Sequence, residues 1–172
     1  LGETPIAAVG LSNQVYFNLH LYINAVAGSC SIFISQFWGK KDRVNIRRIL
    51  GLGLIVNFVS AFLFFLAGAL IPEKILALFS DDPELLSIGV DYLRITSFSY
   101  VMMAITATYS AALRSMEEVK LPMRASLIGL STNAVLNYVL IFGHLGFPKL
   151  GVTGAAIGTV IARLVEMGIL LA

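Results

Sequence analysis

Residues 4–39 read TPIAAVGLSNQVYFNLHLYINAVAGSCSIFISQFWG, thirty-six positions without a single Asp, Glu, Lys or Arg. Thr4 followed by Pro5 is the pattern of an N-cap and a first-turn proline. As one helix the stretch would be roughly 50 Å long, against a bilayer hydrocarbon core of roughly 30 Å. The stretch therefore predicts a long or tilted membrane helix with one end in the interface.

The rest of the chain repeats the theme. Four further apolar runs are expected as spans, giving 5–38, 49–71, 86–113, 121–143 and 152–172 in all. Asn57 is the only strongly polar side chain of the second. Transmembrane β-strands would be about 10 residues of alternating polarity, and these runs are too long and too uniform. Of the 172 residues 58% are hydrophobic and 13% charged, and mean hydropathy is +0.86. So few charges would cover the surface of a water-soluble fold poorly. The reading is an all-α integral membrane protein, a polytopic bundle with five visible transmembrane helices in one domain over 1–172. The chain opens at Leu1 without a basic leader and stops at Ala172 inside an apolar run, so truncation at both ends is expected.

Charge supports the same topology. The connections at 35–48 and 114–124 hold eight Lys/Arg, among them Lys40, Lys41, Arg43, Arg114 and Lys120, whereas those at 72–84 and 143–151 hold only Lys74 and Lys149. If each span crosses once, the two basic connections share a side, and the positive-inside rule makes it cytoplasmic. A cell-membrane protein with loops 39–48 and 114–122 in the cytoplasm follows.

Polar residues inside the spans are the candidates for function, because lipid cannot satisfy them. Asn13, His20 and Asn24 continue into Gly28, Ser31 and Ser35 within about 80° of a helical wheel. That stripe is either interhelical glue or a wall of a solute pathway. A lone His20 in such a place is more often packing than a proton carrier. Asn133 and Asn137 lie four residues apart on one face, with Ser126 seven residues earlier. They require partners or a polar cavity. Arg163 and Glu166, three residues apart and deep in the last run, form an expected intramembrane ion pair. The segment GVTGAAIGT (151–159) carries a G-x-x-x-G that permits close helix packing. Cys30 alone forms no disulfide or Cys-based metal site, and reads as a small hydrophobe.

Other classes lack a signal. No P-loop, H-E-x-x-H or G-x-S-x-G is present, and His20 and His144 are too few for a His/Cys metal site. The basic loops fit topology better than nucleic-acid binding, so no nucleic-acid partner, metal, cofactor or catalytic residue is expected.

Several segments, taken in order, resemble the multidrug and toxic compound extrusion family of cation-coupled antiporters. They are LGETPIAAVGL (1–11), SQFWGKKD (35–42), PEKILALFSDDPE (72–84), DYLRI (91–95), ALRSM with KLP (112–116 and 120–122), NAVLNYVLIFG (133–143) and GFPKLGVTGAA (146–156). The resemblance implies helices two to six of the N-terminal lobe of a twelve-helix, two-lobe transporter that works by alternating access. It implies efflux of organic cations and other amphipathic compounds in exchange for H+ or Na+. The first helix, with its usual aspartate, and the C-terminal lobe would lie elsewhere in the same polypeptide. Asn133 and Asn137 match a polar pair of helix five, and some proton-coupled members have aspartate where this chain has Asn137. Two other readings stand beside it: a flippase for lipid-linked oligosaccharides, which would favour several cavity cations, and a non-transporting membrane subunit.

Overall fold

The computed structural model describes residues 3–143 and 148–172, all helices and connecting turns. His144 and the opening of the 146–156 motif lie outside the described residues. The elements are α1 (Glu3–Gly39), α2 (Arg43–Leu70), the short α3 (Pro72–Leu76), α4 (Pro83–Thr96), α5 (Phe98–Ser115), α6 (Lys120–Phe142) and α7 (Gly151–Leu171).

Local chemistry sets the boundaries. Lys41 turns the chain with φ 56°, and Asp42 then caps α2 by accepting from the Asn45 amide at 3.1 Å and the Asn45 side chain at 2.6 Å. Those bonds hold the Asp42 carboxyl below its usual range. Asp82 caps α4 in the same way, with Pro83 at the first helical position. Gly143, at φ 75°, ends α6 in the left-handed conformation that glycine adopts without strain.

Four helices, α1, α2, α6 and α7, are long and apolar enough to cross a membrane. The third run, expected as a span over 86–113, consists of two helices, α4 and α5, that meet at Ser97. A cluster of hydroxyls marks the division. Thr96 donates to the Tyr92 carbonyl at 2.9 Å, Ser97 to Arg94 at 2.9 Å, and Ser99 to Thr96 at 2.6 Å. Side chains that bond back onto the preceding turn compete with the helical ladder and bend it. Ser97 keeps right-handed helical angles, so α5 follows directly on α4.

α1 packs on α2, α4 and α5, burying Val15, Leu19 and Ile23 against Ala61, Leu93, Tyr100 and Met103. Asn57, wholly buried, ties three of these helices together, donating to Thr108 Oγ1 of α5 at 2.8 Å and to the Ile23 carbonyl of α1 at 3.3 Å. Cys30 packs its sulfur beside Gly53, as a small hydrophobe would. Outward, α2 shows Leu52, Ile55, Val59 and Leu63, each more than half exposed. An apolar surface of that extent needs lipid or protein against it.

α6 packs chiefly on α7, which docks in turn on α4 and α5. Small residues make the contact. A Cβ on Gly154 would lie 2.7 Å from the Leu140 carbonyl oxygen, and one on Gly158 would lie 2.9 Å from Asn137 Oδ1. On α6, a Cβ on Gly129 would lie 3.1 Å from Glu166 Cβ. The two backbones thus approach at the distance that only small residues allow. Gly154→Ala should lower the stability of the full-length protein by about 1–3 kcal/mol through overpacking. Gly168→Ala, whose new methyl meets open space, should not. Thermal unfolding of the two purified variants makes the comparison.

Candidate functional site

The α6–α7 seam gathers the polar side chains Ser126, Asn133, Asn137, Thr159, Arg163 and Glu166. Ser126, Gly129 and Asn133 from α6 and Thr159, Arg163 and Glu166 from α7 line a cavity of ≈ 240 Å³. Glycines at the crossing bring the helices close enough for these side chains to share one space.

Two linked groups occupy the seam. In the first, Asn137 Nδ2 donates to Asn133 Oδ1 at 3.1 Å, and Asn133 Nδ2 reaches Thr159 Oγ1 at 3.4 Å. The Thr159 hydroxyl is itself anchored on the Ala155 carbonyl at 2.9 Å. Tyr92 of α4 is buried with its hydroxyl facing Thr159. Asn137 Oδ1 is buried without a hydrogen-bond partner, so one strong acceptor of the chain is uncommitted.

The second group is ionic. Arg163 Nη1 donates to Glu166 Oε2 at 2.7 Å, and Arg163 Nη2 donates to the Tyr16 hydroxyl of α1 at 2.9 Å. Tyr16 stacks on His20 one turn further along α1, with centroids 5.6 Å apart and planes 16° apart. It also touches the buried ring of Tyr100 at 6.3 Å. His20 Nδ1 is buried without a hydrogen-bond partner. The ion pair expected within α7 is therefore also a tie between α7 and α1.

The residues of the α1 polar stripe have different surroundings. His20 faces the ionic group, but Asn13 lies in a groove lined by α1 alone, with Gly10, Gln14, Tyr16 and Phe17. Asn24 is exposed and bonds back to the His20 carbonyl at 2.7 Å. Ser31 donates to the Ala111 carbonyl of α5 at 3.3 Å, which is interhelical glue. Tyr16, Tyr92 and Thr159 were not singled out by sequence as site residues. Of these only Tyr16 had a usable signal, its position four residues before His20. Among the described residues no cluster of three or more His, Cys, Asp or Glu is arranged to hold a metal.

Apolar helices joined by short turns, packed through glycines and lined by paired amides, define a multi-pass helical membrane protein. A family model described as MatE matches residues 1–139, and the chain belongs to that family. It is 32% identical over 161 residues to "Probable multidrug resistance protein NorM" of Rhizobium meliloti (strain 1021), covering 91% of this chain and 33% of that protein. It is 28% identical over 171 residues to "Probable multidrug resistance protein YoeA" of Bacillus subtilis (strain 168), covering 99% of this chain and 37% of that one. The chain thus spans about a third of the length of the curated relatives it matches. Its fold superposes on a structure titled "Inward-facing conformation of a multidrug resistance MATE family transporter of the MOP superfamily" with TM-score 0.88 at 20% identity, over 99% of this chain and 38% of that one. The outward-facing counterpart gives 0.87 at 21%, over 99% and 37%.

The Tyr16 tie has a measurable consequence. Tyr16→Phe removes one hydrogen bond to a charged, half-buried group, and should cost the full-length protein about 1.5–3 kcal/mol. Chemical denaturation in detergent checks the value against the parent protein.

Proposed function

We propose that the full-length protein is a secondary active exporter that exchanges cationic or other amphipathic solutes for H+ or Na+, and that the α6–α7 seam forms part of the solute path. The observation that carries this reading is the open cavity at the seam, lined by Ser126, Asn133, Thr159, Arg163 and Glu166, with the Asn137–Asn133–Thr159 hydrogen-bond chain running to its wall. A tie between helices needs no open space beside it, as wholly buried Asn57 illustrates. A path for varied amphipathic solutes instead needs hydrogen-bonding groups with few fixed charges, because each unpaired charge in the bilayer interior is costly.

The names of the relatives support export, and the inward- and outward-facing titles of the structural neighbours support alternating access. Exchange then requires solute and ion to bias the same two states. With an amide rather than a carboxylate at Asn137, direct protonation has no group at that position, and the coupling ion is left as either H+ or Na+. A lipid-linked oligosaccharide flippase is disfavoured by the cavity itself, where Arg163 is the one cation of the lining and is already paired.

Cells expressing the full-length gene should lose a fluorescent cationic dye faster when an ion gradient is imposed. Asn133→Ala or Asn137→Ala should slow that loss about tenfold, the effect of roughly 1.4 kcal/mol, with membrane abundance unchanged on immunoblots. Gradient-independent loss, or normal export by both variants, contradicts the proposal.

A further inference from the structure

We propose that the groove between α3 and α4 holds the head group of one outer-leaflet phospholipid, a lipid bearing both a phosphate and a primary ammonium, with an acyl chain lying along an aromatic strip on α2 and α5. The groove is separate from the seam cavity, and the inference does not depend on what that cavity carries.

The groove has a volume of ≈ 750 Å³ and is lined by Glu73 and Lys74 of α3 and by Asp91 and Arg94 of α4, beside Leu86 and Val90. Among the described residues the one salt bridge is that of Arg163 and Glu166, so the two cations and two anions of the groove stand together unpaired. It opens at the end of the bundle away from the basic connections, the outer side by the positive-inside rule. Ser87, Asp91, Arg94 and Phe98 fall within about 60° of a helical wheel, and all four are exposed. The charged face thus runs straight into an apolar one. The Phe98 ring packs on Phe65 of α2 with centroids 4.9 Å apart, and Phe65, Phe62 and Phe58 follow one another along α2 at 5.9 and 6.1 Å. The strip ends at an apolar hollow of ≈ 410 Å³ that includes Phe58, Ile55, Ile105 and Tyr109. From Arg94 to Ile105 the helical chain rises roughly 16 Å, the depth of one leaflet of a hydrocarbon core about 30 Å thick.

Groove and strip together select the ligand. A soluble ion would use the charges alone, whereas a lipid uses the charges and the aromatic strip that begins one turn below Arg94. An anionic head group would satisfy Lys74 and Arg94 but set its net charge against Glu73 and Asp91, and like charges placed together are costly. A head group with one phosphate and one ammonium complements both signs. The Arg94 guanidinium can donate two parallel N–H bonds to phosphate oxygens, and Lys74 adds a point charge. A primary ammonium donates N–H bonds to the Glu73 and Asp91 carboxylates. A quaternary ammonium has no N–H and is held by aromatic faces, and the described lining of the groove contains no aromatic side chain.

The test uses the full-length protein in detergent micelles supplied with equal amounts of dioleoyl phosphatidylethanolamine, phosphatidylcholine and phosphatidylglycerol. Native mass spectrometry counts the lipids that each molecule retains. Phosphatidylethanolamine should be retained about tenfold more than either of the others, the effect of one hydrogen bond to a charged group. Glu73→Gln with Asp91→Asn leaves only cations in the groove and should turn the preference to phosphatidylglycerol. Lys74→Gln with Arg94→Gln should abolish the phosphatidylethanolamine preference and create none for phosphatidylglycerol. Phe98→Ala should lower retention of all three lipids together. The five substituted side chains are exposed, so thermal unfolding without added lipid should match the parent protein in every variant. Different outcomes in the two double variants cannot come from a general loss of packing. Equal retention of the three lipids by the parent, a preference that both double variants keep, or retention untouched by Phe98→Ala overturns the inference.

Discussion

The close approach of α6 and α7 is the constraint on which the site depends. Gly154 lies under the Leu140 carbonyl, Gly158 lies against Asn137, and Gly129 lies against Glu166. Lipid gives helices no hydrophobic reason to associate, so contact has to come from packing and hydrogen bonds. Small residues supply the packing, and the polar chains of Asn133, Asn137 and Thr159 supply the bonds. The same glycines that close the backbones also set the register that brings Arg163 and Glu166 opposite Ser126 and Asn133. Packing and site are consequences of one arrangement.

A second set of contacts fastens this pair to the rest. Asn57 holds α1, α2 and α5 together, and Tyr16 reaches from α1 to Arg163 on α7. Both use one polar side chain to satisfy groups on other helices, as an interior without water demands. A displacement of α7 relative to α1 must therefore break or stretch the Tyr16–Arg163 bond. In a transporter that alternates between two states, such a tie is a place where the energy of the two states can differ.

Much of this was legible in the sequence because lipid enforces a simple code. Long uncharged runs had to be helices, and Asn57, Asn133, Asn137, Arg163 and Glu166 stood out as polar residues needing partners. The division of the third run at Ser97 was hidden, because hydropathy does not register a local break between two apolar helical segments. The surroundings of the α1 stripe were hidden for a related reason. Periodicity places Asn13, His20 and Asn24 on one face, but it does not say which neighbour lies opposite. Tyr16 and Tyr92 escaped notice because an aromatic ring in an apolar run reads as core until the partner of its hydroxyl is known.

The central claim is that the α6–α7 seam is a water-accessible polar wall, whereas the flanking helix faces meet lipid. Cysteine accessibility in a cysteine-free version of the full-length protein addresses it directly. Single cysteines at Asn133 and Thr159 would be compared with Val135 on the outer face of α6 and Ile55 on α2, which are both more than 60% exposed in the apolar surface. A membrane-impermeant methanethiosulfonate should label the first two rapidly and leave Val135→Cys and Ile55→Cys essentially untouched. Equal protection of all four positions, or faster labelling of Val135→Cys and Ile55→Cys, would contradict the account.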